Sequence, residues 1–289
     1  MKKRFHIGLM ILCAVILICV TAVVISALVC HSSLAVHEYD VLIEKVEKPF
    51  TAVVLTDLHG REFGEENEVL LARVMEQQPD VIFSVGDMIN EDANQAAVRR
   101  FLKLLARLRE IAPVYVSYGN HEKSYLNQGG QDLAPGIEAT GAVLLDERCV
   151  TIDLGGNTVC LGGTLGHLYP FGRSPAQYCA SPEYQLMKQM EASGLPTIVL
   201  AHLPDTIIFV EAYKDWDIDL FLSGHTHGGV IRLPFVGGLY APMQGWFPDE
   251  DMGHFDYGRV QLVVSSGLAG HGKIPRVFNM PEVCVVHIS

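Results

Sequence analysis

Eight residues with metal-binding or acid–base side chains stand where apolar strands are predicted to end. The sequence S-G-H-T-H-G-G at 223–229 places two imidazoles one residue apart, directly after the apolar run at 218–222. Residues two apart in an extended segment project to the same side, and the neighbouring glycines permit tight bends, so both rings can face one point. A histidine pair in a surface loop is the competing interpretation of this motif taken alone. The full set, in chain order, is Asp57, His59, Asp87, Asn120, His121, His202, His225 and His227.

The eight side chains combine oxygen donors with imidazoles and contain no thiolate. This mixture favours Mn, Fe or Zn at a catalytic centre over a structural zinc site of the cysteine type. The number of donors also exceeds the four that one tetrahedral ion needs. We therefore predict two divalent metal ions, of Mn, Fe or Zn, that share a bridging carboxylate.

The elements that must position these residues alternate between strand and helix. Apolar, β-branched runs predict strands at 50–56, 81–85, 113–117 and 197–200, and each is followed at once by one or two of the eight residues. Apolar residues at helical spacing predict helices at 65–77 and 95–111. Functional groups of open α/β sheets gather outside the carboxyl ends of the strands, so these strand ends are expected to lie close together.

The pattern changes after residue 142 to short alternating strands, predicted at 143–145, 149–154 and 158–161. These strands indicate a second sheet. The remaining predictions are a first strand at 39–43, a loop at 162–181, a helix at 182–193, a loop region at 231–252 and closing strands at 259–265 and 283–288. The chain is therefore expected to be an α/β protein.

The N-terminus carries a candidate membrane anchor. Residues 7–29 contain no charge and number about 23, close to the roughly 20 that cross a bilayer as a helix. Lys2, Lys3 and Arg4 precede the run, which predicts a cytosolic N-terminus and an extracytoplasmic domain at the cell membrane. Secretion after cleavage of a signal peptide is the alternative. The predicted organisation is an anchor at 1–30, a connector at 31–48 and a catalytic domain at 49–289.

Net charge and cysteine content limit the binding partners and the disulfide bonds that are expected for this chain. The formal net charge is -12 over 289 residues, and about -15 once the three basic residues at 2–4 are set aside, so nucleic acid is not expected as a partner. The same acidity disfavours direct adhesion to anionic lipid. The seven cysteines lack C-x-x-C spacing, so no disulfide framework is expected, although a single bridge outside the cell is compatible with them. The oligomeric state is not determined by these features.

Five short blocks together resemble the calcineurin-like metallophosphoesterases. They are D-L-H at 57–59, G-D at 86–87, G-N-H-E at 119–122, A-H at 201–202 and G-H-T-H at 224–227, in the order and approximate spacing of that family. I-R-L-P at 231–234 and I-P-R-V-F-N-M-P-E at 274–282 look most like its membrane-associated bacterial branch of YkuE-type and YaeI-type phosphodiesterases. The resemblance runs from about residue 53 to the C-terminus.

The resemblance implies a fold and a division of roles. The fold would be two packed mixed sheets flanked by helices, a four-layer sandwich. Asp57, His59 and His227 would hold the first metal, and Asn120, His202 and His225 the second. Asp87 would bridge both, and His121 would be the catalytic residue, which either protonates the leaving oxygen or stabilises the phosphoryl oxygens. The implied reaction is hydrolysis of a phosphoester by metal-activated hydroxide.

The substrate is expected to be lipid-linked or envelope-linked, because an N-terminal helix would hold the site near the membrane. The alternative from another class is a non-catalytic interaction module that keeps the fold. Glu122 is expected to support neighbouring residues and not to react. Asn90 and Val230 depart from the family pattern, in which an acidic residue and Gln are common.

Several loop residues are candidate substrate contacts. Arg61 is one, and His271 with Lys273 and Arg276 are others near the expected mouth of the site, although a solvated loop histidine is the favoured interpretation of His271. The aromatic residues of the two long loops would form an apolar wall for a lipid or aryl group, and ordinary loop packing is the alternative. These aromatic residues are Tyr169, Phe171, Phe235, Tyr240, Trp246 and Phe247.

Overall fold

The computed structural model of the chain describes residues 2–170, 172–270, 272 and 274–289. In these residues the helices are α1 (Lys2–Ser32), α2 (Glu68–Glu76), α3 (Gln95–Arg109), α4 (Asn120–Asn127), α5 (Ala134–Ala139), α6 (Pro175–Cys179), α7 (Pro182–Ala192) and α8 (Asp205–Phe209), with single 3₁₀ turns at Glu65–Asn67, Ala212–Lys214 and His227–Gly229. The candidate contacts His271 and Lys273 and the aromatic Phe171 lie outside the described residues.

The strands are numbered along the chain. They are β1 (Ala35–Val41), β2 (Phe50–Leu55), β3 (Val81–Val85), β4 (Val114–Ser117), β5 (Val143–Leu144), β6 (Arg148–Leu154), β7 (Asn157–Thr164), β8 (Thr197–Ala201), β9 (Leu220–Ser223), β10 (Arg232–Leu233), β11 (Gly237–Gly238), β12 (Tyr240–Ala241), β13 (Gly245–Trp246), β14 (Gly253–Asp256), β15 (Gln261–Val264) and β16 (Glu282–Ile288).

Two six-stranded sheets form the centre of the fold, with the orders β1-β16-β2-β3-β4-β5 and β14-β15-β9-β8-β7-β6. β2 to β5 run parallel, as do β7, β8 and β9. Antiparallel pairs occur at β16–β2, β14–β15 and β6–β7, so both sheets are mixed. The short pairs β10–β11 and β12–β13 are separate hairpins.

Three apolar clusters separate the layers. The middle one joins the inner faces of the sheets through side chains such as Phe83 and Leu222. A second cluster packs α2, α3 and α5 on the first sheet, and a third packs α7 and α8 on the second sheet. The order helices, sheet, sheet, helices confirms the predicted four-layer α/β class.

Helix α3 illustrates why the predicted elements form. Asn94 caps its N-terminus by accepting a hydrogen bond from the backbone N–H of Ala97 (3.0 Å). Its inward face buries Val98, Phe101 and Leu105, as their helical spacing predicts. The buried face of helix α2 ends before its last turn, because Met75 is 62% exposed although it lies four residues after the buried Leu71.

Several segment predictions were wrong in detail. The first strand is β1, four residues earlier than predicted, and it pairs with β16 along its whole length, so the sheet extends into the predicted connector at 31–48. The predicted loop at 162–181 contains the end of β7 and the short α6. Helices α4, α5 and α8 were not predicted, because each has at most eight residues, about two turns, which leaves little periodicity to detect.

Helix α1 is long and apolar enough to cross a membrane. An 18-residue stretch of its segment Phe5–Ser32 has a mean hydropathy of 3.1, and no residue of that stretch is buried by the rest of the protein. An N-terminal signal sequence has the same properties. One N-terminal apolar helix is therefore present, as predicted, and its location is taken up below.

A matched pair of substitutions tests this core. Leu105→Ala removes a fully buried side chain and is expected to lower the free energy of unfolding by about 2–5 kcal/mol. Met75→Ala, at the exposed position, is expected to change it by less than about 0.5 kcal/mol. Urea unfolding of the detergent-solubilised full chain measures both. Equal losses for the two variants would contradict the burial described here.

Candidate metal centre

The eight predicted residues converge at the edge where the parallel strands of both sheets end. Asp57 and His59 follow β2, Asp87 follows β3, His202 follows β8 and His225 follows β9. The ligand atoms of three groups lie within 4.8 Å of one another: Asp57, His59 and His227; His59, Asp87 and His121; and Asp87, His202 and His225. Asp87 and His59 each belong to two groups, so the groups form one continuous cluster.

Two carboxylates lie at the centre of the cluster and are almost fully buried. Asp57 accepts hydrogen bonds from Thr56 Oγ1 (2.9 Å) and from the backbone N–H of His225 (3.0 Å). Asp87 accepts one from the backbone N–H of His121 (2.8 Å), and its Oδ2 lies 3.1 Å from Nε2 of His202. Each carboxylate is thus oriented by a residue that belongs to a different strand end.

Three imidazoles are held in the same tautomer. Nδ1 of His202 lies 2.8 Å from the carbonyl of Val85, and Nδ1 of His227 lies 3.1 Å from the carbonyl of Ala269. A carbonyl only accepts, so each Nδ1 donates, and Nε2 carries the lone pair when the ring is neutral. Nδ1 of His59 likewise lies 2.8 Å from Oδ1 of Asn90. In the absence of a metal, Asp87 favours the protonated ring of His202, whose Nε2–H then faces that carboxylate.

The Nε2 atoms point at the carboxylates. Nε2 of His59 lies 3.9 Å from Oδ1 of Asp57 and 3.9 Å from Oδ2 of Asp87, and Nε2 of His227 lies 3.7 Å from Oδ1 of Asp57. These separations are too long for hydrogen bonds but suit donors arranged around a cation. Lone pairs and carboxylate oxygens that face one another are the arrangement a divalent metal requires.

The unsatisfied buried atoms fit metal ions as well. Among the described residues, no hydrogen-bond partner reaches Nε2 of His59 or Oδ1 of Asn120, although both atoms are buried. Such atoms normally have a partner, because desolvation without one is costly. Asn120 begins α4, and a metal ligated by its amide oxygen would remove this cost.

The histidines of the cluster differ in the direction of their pKa shifts. Burial opposes protonation of His202, but the adjacent Asp87 raises the pKa of its imidazole to about 10. On His225, burial and the neighbouring His202 lower the pKa to about 3. Burial also lowers the pKa of His59. His59 and His225 are therefore neutral near pH 7 and able to donate to a metal.

The backbone at the cluster is strained. Asp57, His59, Asp87, His225 and His227 all have positive φ, between 50° and 69°, in the left-handed region that non-glycine residues rarely occupy. Such conformations cost of order 1–3 kcal/mol each and persist where the surrounding structure imposes them. Residue type and spacing gave no sign of this strain.

Two glycines permit the close approach of the loops. A Cβ on Gly119 would lie 2.2 Å from Oδ1 of Asp87, and a Cβ on Gly224 would lie 2.4 Å from Oδ2 of Asp57. Any side chain at either position would displace a central carboxylate. The glycines of the G-N-H-E and G-H-T-H blocks are thus sterically required beside the ligands.

Glu122 joins two of the loops. Its buried carboxylate accepts backbone N–H bonds from Asp87 (2.8 Å), Met88 (2.7 Å), Ile89 (3.0 Å) and Gly119 (2.9 Å). Four N–H donors satisfy both oxygens and partly offset the effect of burial and of the nearby Asp87, which raise the pKa of this carboxyl. Glu122 therefore fixes the turn that carries Asp87 against the start of α4, which agrees with the supporting position predicted for it.

Two acidic residues near the cluster were missed from the sequence. The carboxylate of Glu91 contacts Nδ1 of His121. Asp205, at the start of α8, is buried with Oδ2 4.0 Å from Nε2 of His225, and burial raises its pKa to about 6. Both follow a predicted ligand by three or four residues, and that proximity is the only signal the sequence contains.

The candidate contact residues differ in their placement. Arg61 lines a cavity of about 890 Å³ together with His59, Asn90 and His121, whereas Arg276 reaches it from a buried position. The guanidinium of Arg276 donates to the carbonyls of Gly267 (3.0 Å) and Ala269 (2.6 Å), so it supports the loop behind His227. Of the described loop aromatics, none lines this cavity, so an aromatic wall at the site is not observed.

The fold and this cluster define a binuclear-type hydrolase architecture, and comparison with known proteins identifies the family. The model of the calcineurin-like phosphoesterase family matches residues 50–229. This chain belongs to that family. Family membership and the likeness to a phosphodiesterase assign the chain to the metal-dependent phosphoester hydrolases.

Individual proteins agree with that assignment. The chain is 31% identical over 198 residues to phosphodiesterase YaeI of Escherichia coli K12, covering 68% of this chain and 67% of YaeI. It is 27% identical over 260 residues to the uncharacterized metallophosphoesterase YkuE of Bacillus subtilis 168, covering 88% and 81%. Among several other relatives the aligned part spans only 61–63% of their own length. The fold resembles that of TT1561 of Thermus thermophilus, with a TM-score of 0.50, 16% identity and coverage of 75% and 89%.

The hydrogen bond from His59 to Asn90 predicts a pair of contrasting variants. Asn90→Leu removes the acceptor that orients His59 and is expected to weaken metal affinity by about 10–100-fold. Asn90→Asp keeps an acceptor at the same place and is expected to retain affinity. Metal titration of the purified chain by calorimetry measures both. Equal affinity in the Leu and Asp variants would show that this bond does not position His59.

Proposed function

We propose that the chain is a dinuclear-metal phosphohydrolase that cleaves a phosphoester. The observation that supports this most directly is the set of imidazoles whose Nδ1 atoms are fixed by protein oxygens while their Nε2 atoms face two buried carboxylates. That arrangement orients the lone pairs of imidazoles and carboxylates towards one small region. Family membership supports the same class of chemistry.

In this proposal the seven ligands are divided between two ions. Asp57, His59 and His227 would hold one ion, Asn120, His202 and His225 would hold the second, and Asp87 would contribute to both sites. Two divalent ions, of Mn, Fe or Zn, would polarise the phosphoryl group and make a water nucleophilic near neutral pH. The histidines, neutral by burial or by loss of a proton to solvent on metal binding, supply the nitrogen donors.

His121 is the proposed catalytic residue. Its Nε2 lies 3.8 Å from Oδ2 of Asp87, at the mouth of the cluster, and its ring is partly exposed to the cavity. Glu91 contacts the opposite ring nitrogen, Nδ1, and thereby orients the ring. His121 can therefore deliver a proton from Nε2 to the oxygen that leaves phosphorus.

The setting we propose is the cell membrane. Helix α1 is apolar and exposed over most of its length, and the basic residues at its start favour a cytosolic N-terminus with the hydrolase domain on the outer side. A site held at the membrane favours lipid-linked or envelope-linked phosphoesters. Faster turnover of soluble nucleotides than of any lipid phosphate in micelles would contradict this substrate class.

A non-catalytic module of the same fold is the alternative proposal. Such a protein is expected to have lost metal ligands, yet the sequence contains all seven proposed ligands, and six of them belong to the groups of neighbouring ligand atoms. The cluster therefore favours the enzyme.

Paired variants test the catalytic assignment. His121→Ala is expected to lower kcat for an aryl phosphodiester by about 10²–10⁴-fold while metal content stays unchanged. Asp87→Ala is expected to lose both activity and metal, because it removes the shared ligand. His287→Ala, at the opposite end of the first sheet, is the matched control and should resemble the unmutated chain. Activity should be assayed with manganese, iron and zinc in turn, and an inactive unmutated chain under all three would favour the module.

The assignment of His225 and His227 to different ions predicts separate losses. His225→Ala is expected to reduce bound metal from two ions to one and to spare the site of His227, because the two residues belong to different groups. Elemental analysis by mass spectrometry after dialysis measures the ratio of metal to protein. Full retention of both ions by His225→Ala would overturn the assignment.

A further inference from the structure

The last turns of α1 are docked on the hydrolase domain. The backbone N–H of Phe278 donates to Oγ of Ser26 (2.6 Å), and Arg61 donates from its guanidinium to the carbonyl of His31 (2.5 Å). Cys30 is only 3% exposed, in contrast to the open surface of the preceding turns. The helix thus meets the domain over its last two turns.

Strand topology places this contact at the metal edge. β1 follows α1 after two residues and runs parallel to β16, with Ala35 opposite Glu282. β16 runs antiparallel to β2, so the start of β1 lies at the end of β2, where Asp57 begins the metal cluster. The cavity of about 890 Å³ is accordingly lined by both parts, with Ala27, Cys30 and His31 on one side and His59 and His121 on the other.

The length of α1 determines how deep the neighbouring surface of the domain would lie relative to the hydrocarbon core of a bilayer. The uncharged run at 7–29 rises about 34 Å at 1.5 Å per residue, slightly more than the hydrocarbon core of a bilayer, about 30 Å. Ser26 lies about 4 Å and Ala22 about 10 Å inside the end of that run. Parts of the domain that lie beside these residues are therefore level with the boundary of the hydrocarbon core.

An apolar surface lies at that level. A groove of about 970 Å³ separates Ala22, Ile25 and Val29 of the helix from Phe278 and Met280 of the domain. The β10–β11 hairpin begins at the same groove with Arg232, whose backbone N–H donates to the carbonyl of Val277 (2.9 Å). We define the apolar collar as the exposed apolar side chains of the segment at 274–280 and of the β10–β11 hairpin. They are Leu233, Phe235, Val236, Ile274, Phe278 and Met280.

We infer that the apolar collar inserts into the interface of the bilayer and sets the mouth of the catalytic cavity at the level of the lipid head groups. The inference rests on the membrane span in the proposed function. Phe235 is fully exposed, and Phe278 and Met280 are 42% and 39% exposed, so burial in lipid removes apolar surface from water without any change of fold. Residues of this type at a depth of about 5–10 Å are how interfacial segments bind membranes.

Lipid is the occupant that this position favours. Phe278 and Met280 of the collar share the groove with the apolar flank of α1, so a bilayer that accepts the helix reaches this part of the collar. Attraction between charges contributes little, since the domain is acidic. A phosphoester whose apolar part remains in the leaflet can then present its phosphate to the cavity between Arg61 and His121.

Fluorescence quenching in nanodiscs tests the collar without relying on catalysis. The full chain carrying Phe278→Trp in a Trp246→Phe background is reconstituted in phosphatidylcholine with or without brominated acyl chains. The buried Trp216 remains as a constant reference. We expect brominated lipid to quench the new tryptophan strongly. If Phe278→Trp folds poorly, Phe235→Trp at a fully exposed position serves in its place, and the same quenching is expected.

Met75→Trp is the matched control. Met75 is exposed on α2 near the start of β3, at the edge of the sheet away from the metal cluster, so brominated lipid should not quench it. The inference would be overturned if tryptophan at 278 and 235 were quenched no more than tryptophan at 75. It would also be overturned if a second copy of the chain in each disc covered the collar and shielded it from brominated lipid. Strong quenching in a chain that hydrolyses no phosphoester would leave the collar in place and refute the proposed function alone.

Discussion

Two carboxylates withdrawn from water, Asp57 and Asp87, are the constraint on which the rest of the structure depends. An unpaired buried charge costs several kcal/mol, so each needs compensating partners. The protein supplies backbone N–H groups and the imidazole of His202. Because those partners come from three different strand ends, those of β4, β8 and β9, satisfying the carboxylates requires both sheets to be packed in register.

This requirement accounts for the backbone of the cluster. A strand that continued straight would carry its ligand past the common point, so the chain turns sharply at each strand end. The left-handed conformations of Asp57, Asp87 and His225 make those turns. Glu122 compensates for part of the strain, since its four N–H bonds tie the Asp87 turn to α4. Rigid sheets and a shared carboxylate together hold a conformation that neither loop would adopt alone.

The sequence contained enough to predict the layers and the members of the cluster. Buried parallel strands are continuous apolar runs, and the residues that follow them, such as Asp87 after β3, were identifiable by position. It did not contain the contacts made by distant residues. The fixed tautomer of His227 depends on a carbonyl 42 positions away, and the proximity of Asp205 to His225 depends on packing of α8. The exposure of Met75 shows the same limit, since helical spacing identifies a face but not where that face ends.

The junction between α1 and β1 has a consequence for how the site finds its substrate. Only Ser33 and Leu34 separate the helix from a strand that is paired along its whole length, so the domain has no flexible tether. With α1 in a bilayer, the helix and the catalytic cavity would diffuse as one body and keep a constant orientation to the surface. Search would then proceed in two dimensions, and the encounter rate would depend on substrate per unit area of membrane instead of concentration in solution.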